Sequence, residues 1–93
     1  MVDEPIDESQ LRPILRKVLE TGELSFTCHA FEEMEKDELV EQDIRNCLWA
    51  GRFDGCDFER GSWRYRVRTG WIVVVVALRS EAQIVVVTAW RER

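Results

Sequence analysis

Two stretches near the C-terminus, "WIVVVVAL" (71–78) and "QIVVVTAW" (83–90), constrain this chain most. Each is too short to cross a bilayer as a helix, and each is rich in β-branched residues, so each reads as a strand. Both are apolar on either face. Such strands belong at the centre of a sheet, covered by helices or by a partner.

The segment before them, "SWRYRVR" (62–68), alternates strictly. Trp63, Tyr65 and Val67 point one way, and Arg64, Arg66 and Arg68 the other. "TG" (69–70) supplies a tight turn into the first apolar run, and "RSEA" (79–82) turns into the second. "RFDGCDF" (52–58) reads as a further strand, weakened by Gly55 and placed at an edge.

The first half is helical. Leu11, Ile14, Leu15, Val18 and Leu19 make one apolar stripe, with Ser9 as cap, Pro13 within about the first turn and Gly22 as the stop. "LSFT" (24–27) is a short extended link. A second helix spans about His29 to Lys36, with Phe31 and Met34 toward the core. A third runs through "QDIRNCLWAG" (42–51), with Ile44, Cys47 and Leu48 inward and Gly51 as its stop. Trp49, Trp71 and Trp90 read as core anchors. Helices followed by strands predict a single α+β domain over 1–93. Its N-terminal helices pack on one face of a C-terminal antiparallel sheet of three to four strands. Residues 1–8 are expected to be a flexible acidic lead.

The N-terminus lacks the basic and apolar regions of a signal peptide, so a cytoplasmic protein with no membrane contact is expected. Cys28, Cys47 and Cys56 are odd in number and unpaired in spacing. They read as reduced thiols rather than a disulfide framework or zinc site, so no metal and no cofactor is expected. The net charge of −5 argues against general nucleic-acid affinity. The charge is unevenly spread, however. Residues 1–51 hold five Lys/Arg against thirteen Asp/Glu, whereas 52–93 hold eight Arg against five Asp/Glu.

Chemistry concentrates in two places. His29 is the single histidine, and histidine is the side chain that exchanges protons in the neutral range. Glu32 and Glu33 follow at helical spacing and lie within reach of its ring. His29 reads either as a proton carrier oriented by Glu32 or as a helix-start residue bonded to backbone. Arg64, Arg66 and Arg68 recur about 7 Å apart along one strand face. They read either as a clamp for phosphate, with the bidentate fork of guanidinium, or as a solvated face that discourages edge pairing.

The order "HAFEEM", "LVEQDIRNCLWAG", "RYRV", "IVVVVAL" and "IVVVTAW" resembles a small bacterial family of unknown function. That family has an H-A-x-E-R-M signature and is similar to the RelE/ParE/MqsR-like toxin superfamily. The resemblance covers about residues 25–91. His29, Glu32, Asp43, Gly51 and Tyr65 match the family pattern, while Glu33 stands where the family has arginine. The resemblance implies a RelE-like sheet and metal-independent endoribonuclease activity, usually on the ribosome, neutralised by a cognate antitoxin. On that basis His29, Glu32, Tyr65 and Arg66 are the expected catalytic residues, and Arg64 and Arg68 the expected substrate-binding ones. The expected partners are RNA or the ribosome and an antitoxin. A second expectation is a non-catalytic module on the same fold that binds a protein or forms a homodimer.

Overall fold

The computed structural model describes residues 3–92. Three helices and five strands follow the order α1 (Glu8–Thr21), β1 (Glu23–Phe26), α2 (Cys28–Lys36), α3 (Glu41–Ala50), β2 (Arg52–Glu59), β3 (Ser62–Thr69), β4 (Ile72–Ser80) and β5 (Gln83–Arg91). The sheet order is β1-β5-β4-β3-β2. Strands β2 to β5 form the expected antiparallel meander, with β2 at an edge.

The sheet differs from expectation at its other edge. Residues 23–26 are a strand rather than a link, and they pair in parallel with β5, Glu23 opposite Gln83 through Phe26 opposite Val86. The sheet is therefore five-stranded and mixed. Four residues carry little strand signal of their own. They are held by a partner about sixty positions away.

Helix α1 starts two residues earlier than a cap at Ser9 implies. Asp7, not Ser9, is the cap: its carboxylate accepts the Gln10 N–H at 3.0 Å, and the Gln10 side chain accepts the Asp7 N–H at 3.1 Å. Pro13 consequently sits in the second turn, where its missing N–H leaves the Ser9 carbonyl without that helical bond. In α2 the inward pair is Ala30 and Met34, one turn apart; Phe31 is 54% exposed and stacks on Phe26 with ring centroids 5.1 Å apart.

Leu11, Leu15 and Val18 of α1, Ala30 and Met34 of α2, and Ile44, Cys47 and Leu48 of α3 join one core cluster with Tyr65, Val67, Val74, Val76, Ile84, Val86 and Ala89. Alternation sends Arg64, Arg66, Arg68, Val73, Val75 and Ala77 to the opposite, helix-free face. Val73 and Val75 are nevertheless buried there. Their cross-strand neighbours are Arg68 and Trp90 for Val73, and Arg66 and Thr88 for Val75. Long stems and an indole lying beside small β-branched residues provide the cover that helices give the other face.

Trp49, Trp71 and Trp90 do not anchor the core, though Trp63 packs against it. Trp71 belongs to the β3–β4 turn, where Gly70 and Trp71 are the loop residues because Thr69 already pairs with Ile72; it is 69% exposed. Trp49 leaves α3 away from Ile44, Cys47 and Leu48, and the Arg16 guanidinium lies 5.1 Å from its ring centroid. Trp90 is half-buried on the helix-free face.

The acidic lead is docked over the part described. Ile6 lies in the core, its N–H donates to the Tyr65 hydroxyl at 3.2 Å, and that hydroxyl donates to Glu4 Oε2 at 2.8 Å. Met1 and Val2 lie outside the described residues. Among the described residues, no helix is long and apolar enough to cross a membrane.

Candidate functional site

The site begins where β1 ends. The Thr27 N–H donates to the Val86 carbonyl at 3.0 Å, just past the last β1–β5 pair. Its hydroxyl accepts the Ala30 N–H at 3.0 Å, capping α2, and donates to the Val87 carbonyl at 2.8 Å. One side chain thus fixes the start of α2 to β5. At the other end of α2, Asp37 Oδ2 accepts the Arg91 N–H at 2.7 Å. Helix α2 therefore runs beside β5 where β1 has stopped. His29, the second residue of this helix, is exposed at the rim of the helix-free sheet face.

There His29 lines a groove of about 550 Å³ with Thr27, Glu59, Arg60, Arg64, Val87 and Thr88. A second hollow of about 210 Å³ is lined by Asp57, Glu59, Arg64, Arg66, Thr88 and Trp90, together with two valines. Arg64, Glu59, Val87 and Thr88 border both, so the two are neighbours on one face.

The arginines are not equivalent. Arg64 meets Glu59 at 3.8 Å, a loose ion pair, and its Nε is enclosed without a partner. Arg66 donates from Nε to the Asp54 carbonyl at 3.1 Å and pairs with the Asp57 carboxylate. Gly55 makes room for this. It takes φ 98° at the bulge between Phe53 and Cys56, and a Cβ there would lie 2.6 Å from an Arg66 terminal nitrogen. Arg68 pairs with Asp54 at 3.1 Å and Glu92 at 3.3 Å, and these carboxylates hold its guanidinium more firmly protonated than usual. The acids that neutralise the stripe come from β2 and the C-terminus rather than from the acidic first half.

The remaining expected residues sit elsewhere or act differently. Tyr65 is on the core face, away from the arginines. Burial first, and then its bond to Glu4, pushes its phenol well above the usual value. Glu32 is exposed, and no hydrogen bond joins it to His29 among the described residues. Glu33 pairs with Lys36 at 3.1 Å. Asp43 accepts the Val40 N–H at 2.9 Å and so caps α3, while Gly51 lies buried against β3. The structure therefore joins His29 to Arg64 and Arg66 along one face. It leaves Tyr65 apart and Glu32 unconnected.

Arg60, Thr88 and Trp90 are site residues that the sequence pattern does not single out. Arg60 takes φ 50° beside Gly61 at φ 81°, the doubly left-handed geometry of a type I′ hairpin turn. Thr88 and Trp90 are reached through a bulge. Val76 pairs with Val86, but Val75 pairs with Thr88, so Val87 is extra. Counting by twos from Ile84 puts Trp90 on the core face, whereas the bulge reverses the parity and turns Ala89 inward.

Among the described residues, no group of three His, Cys, Asp or Glu side chains is placed to hold a metal ion. A family model described as a domain of unknown function (DUF4258) matches residues 26–91. That span runs from the end of β1 through β5, and so includes the whole groove. No curated protein and no solved structure matches the chain.

Proposed function

This chain belongs to the DUF4258 family, and we propose that its open sheet face is the site of a metal-independent endoribonuclease of the RelE/ParE/MqsR-like toxin type, held in check by an antitoxin. The observation that carries this reading is that His29 and Arg64 line one groove while Arg64 is held, among the described residues, only by the loose 3.8 Å pair with Glu59. A guanidinium so weakly engaged is left to meet an anionic oxygen.

In this reading RNA lies across the groove. His29 takes the proton from a ribose 2′-hydroxyl. The 2′-oxygen bonds to the adjacent phosphorus, the bond to the 5′-oxygen breaks, and that oxygen leaves with a proton from water. The products are a 2′,3′-cyclic phosphate end and a 5′-hydroxyl end. Arg64 and Arg60 stabilise the charge on the phosphorane oxygens. Arg66 is a positioning residue, since Asp54 and Asp57 already engage it. Trp90 offers an aromatic surface beside Arg64 and Arg66 for a base.

The assay uses end-labelled RNA, chelator-treated protein, and reactions with and without ribosomes. Wild type is expected to cleave and to leave cyclic phosphate ends. His29→Ala should lose about 10²–10⁴-fold in rate, and Arg64→Ala about 10²–10³-fold. Cleavage unchanged in both variants excludes this site.

A second reading has its own observation. Arg66 and Arg68 are held by the chain's own carboxylates, which lowers the free positive charge of the stripe. A binding module that meets a protein partner, or a second copy, through the exposed edge of β2 accords with that. The absence of any cleavage, on naked RNA and on ribosomes alike, favours the module.

A further inference from the structure

At the end of β3 away from His29, Arg52 and Arg68 are direct partners in the β2–β3 ladder. Their side chains therefore leave on the same face, with Cβ atoms about 4.5–5.5 Å apart. Two like charges placed directly opposite are destabilising unless something lies between them. Arg68 uses Nε for Asp54 and one terminal nitrogen for Glu92, which leaves its other terminal nitrogen over. The Arg52 side chain has no hydrogen bond or ion pair to any described residue.

The two arginines line a hollow of about 320 Å³ with Ala50, Thr69 and Gly70 and no carboxylate. The end of α3 beside it brings carbonyl groups, which ordinarily repel an anion. Two of these are already engaged, because Arg12 donates to the Gly51 carbonyl at 2.6 Å and to the Trp49 carbonyl at 3.3 Å. What remains at this open hollow is a pair of guanidiniums from two strands, Arg52 without a side-chain partner among the described residues and Arg68 with one terminal nitrogen left over from Asp54 and Glu92.

We propose that Arg52 and Arg68 bind a backbone phosphate of the single-stranded polynucleotide that occupies the His29 groove. The proposal rests on the nucleic-acid part of the reading above and not on cleavage. Arg64 and Arg68 lie four residues apart on β3, or about 13 Å along the strand, a span that a short run of extended single strand bridges. The sheet face thus holds a strand at both ends, by Arg64 beside His29 and by the Arg52–Arg68 pair. Arg66 between them is tied to Asp57.

The test measures anisotropy of a labelled, 2′-O-methylated single-stranded oligoribonucleotide, which binds without being cut, across a range of salt. For a single strand, removing one cation that neutralises a phosphate lowers the slope of log K against log salt by about 0.7. Arg52→Gln is expected to reduce the slope by that amount and to weaken binding most at low salt. Arg52→Lys keeps the slope. Lys17→Gln, on the exposed side of α1, removes the same charge and leaves the slope as it was. An unchanged slope in Arg52→Gln overturns the proposal, as does an equal drop in Lys17→Gln or no binding by wild type. His29→Ala should keep the dependence on Arg52. A chain that binds in this way but never cuts RNA therefore fails as a nuclease and still bears out the phosphate site.

Discussion

Removing one oxygen atom, in Tyr65→Phe, tests whether this residue belongs to the core or to the site. The hydroxyl donates to Glu4 at 2.8 Å and accepts the Ile6 N–H at 3.2 Å. The ring keeps its packing in the variant, so the loss is confined to these two bonds. A hydrogen bond to a charged group contributes about 1.5–3 kcal/mol, and a buried donor left unpaired costs about 1–3 kcal/mol. Glu4 is exposed and regains water, whereas the Ile6 N–H is buried and does not. The net cost is therefore about 2 kcal/mol. For a domain of 93 residues, that lowers Tm by about 8–16 °C. Calorimetry gives Tm, and amide exchange should show Ile6 opening faster. Glu4→Gln alone should cost less, and a double-mutant cycle should show the two changes coupled. A fall in Tm below about 3 °C, with Ile6 protection unchanged, refutes the reasoning. Folded Tyr65→Phe held below its Tm should act on RNA as wild type does, and selective loss of activity would return Tyr65 to the site.

Gly51→Ala should destabilise strongly, by more than about 2 kcal/mol, because a Cβ there would lie 2.4 Å from the Cys47 carbonyl oxygen and 2.8 Å from that of Arg68; chemical denaturation reads the change. Thr27→Ala removes the α2 cap and the bond to Val87, and should cost about 1–2 kcal/mol, with faster amide exchange at Ala30. Alkaline pH should weaken the fold. Burial pushes the Cys47 thiol up to about 11 from 9.0, and the Tyr65 phenol is raised as well. Groups raised on folding stabilise fully below their unfolded values, so stability should fall as pH climbs from about 9 toward 11. Cys47→Ala should flatten the lower part of that profile, and a denaturation midpoint that is constant from neutral pH to 11 contradicts this account.

Elements with a long internal period were legible in the sequence. The stripe from Leu11 to Leu19 places α1, the alternation of "SWRYRVR" assigns each β3 side chain to its face, and the doubly apolar runs define β4 and β5. Short elements and parity breaks were not legible. Strand β1 has four residues and is made by its partner. The extra Val87 reverses β5 and so hides Thr88 and Trp90. The His29–Arg64 meeting was legible only as residue types. Placing α2 at the mouth of the sheet depends on Thr27 reaching Val86 and Val87, about sixty positions on.

That long reach has a consequence for synthesis. Strand β1 and the cap of α2 both wait for β5, the last of the five strands in chain order. Pairings so distant in sequence form late and slow folding. A nascent chain that has already emitted α2 and β3 carries His29 and Arg64 but has nothing to hold the start of α2 against the sheet. A chain terminated before residue 83 loses the groove as a whole rather than in part. The growing polypeptide thus stays without its site until β5 has been made.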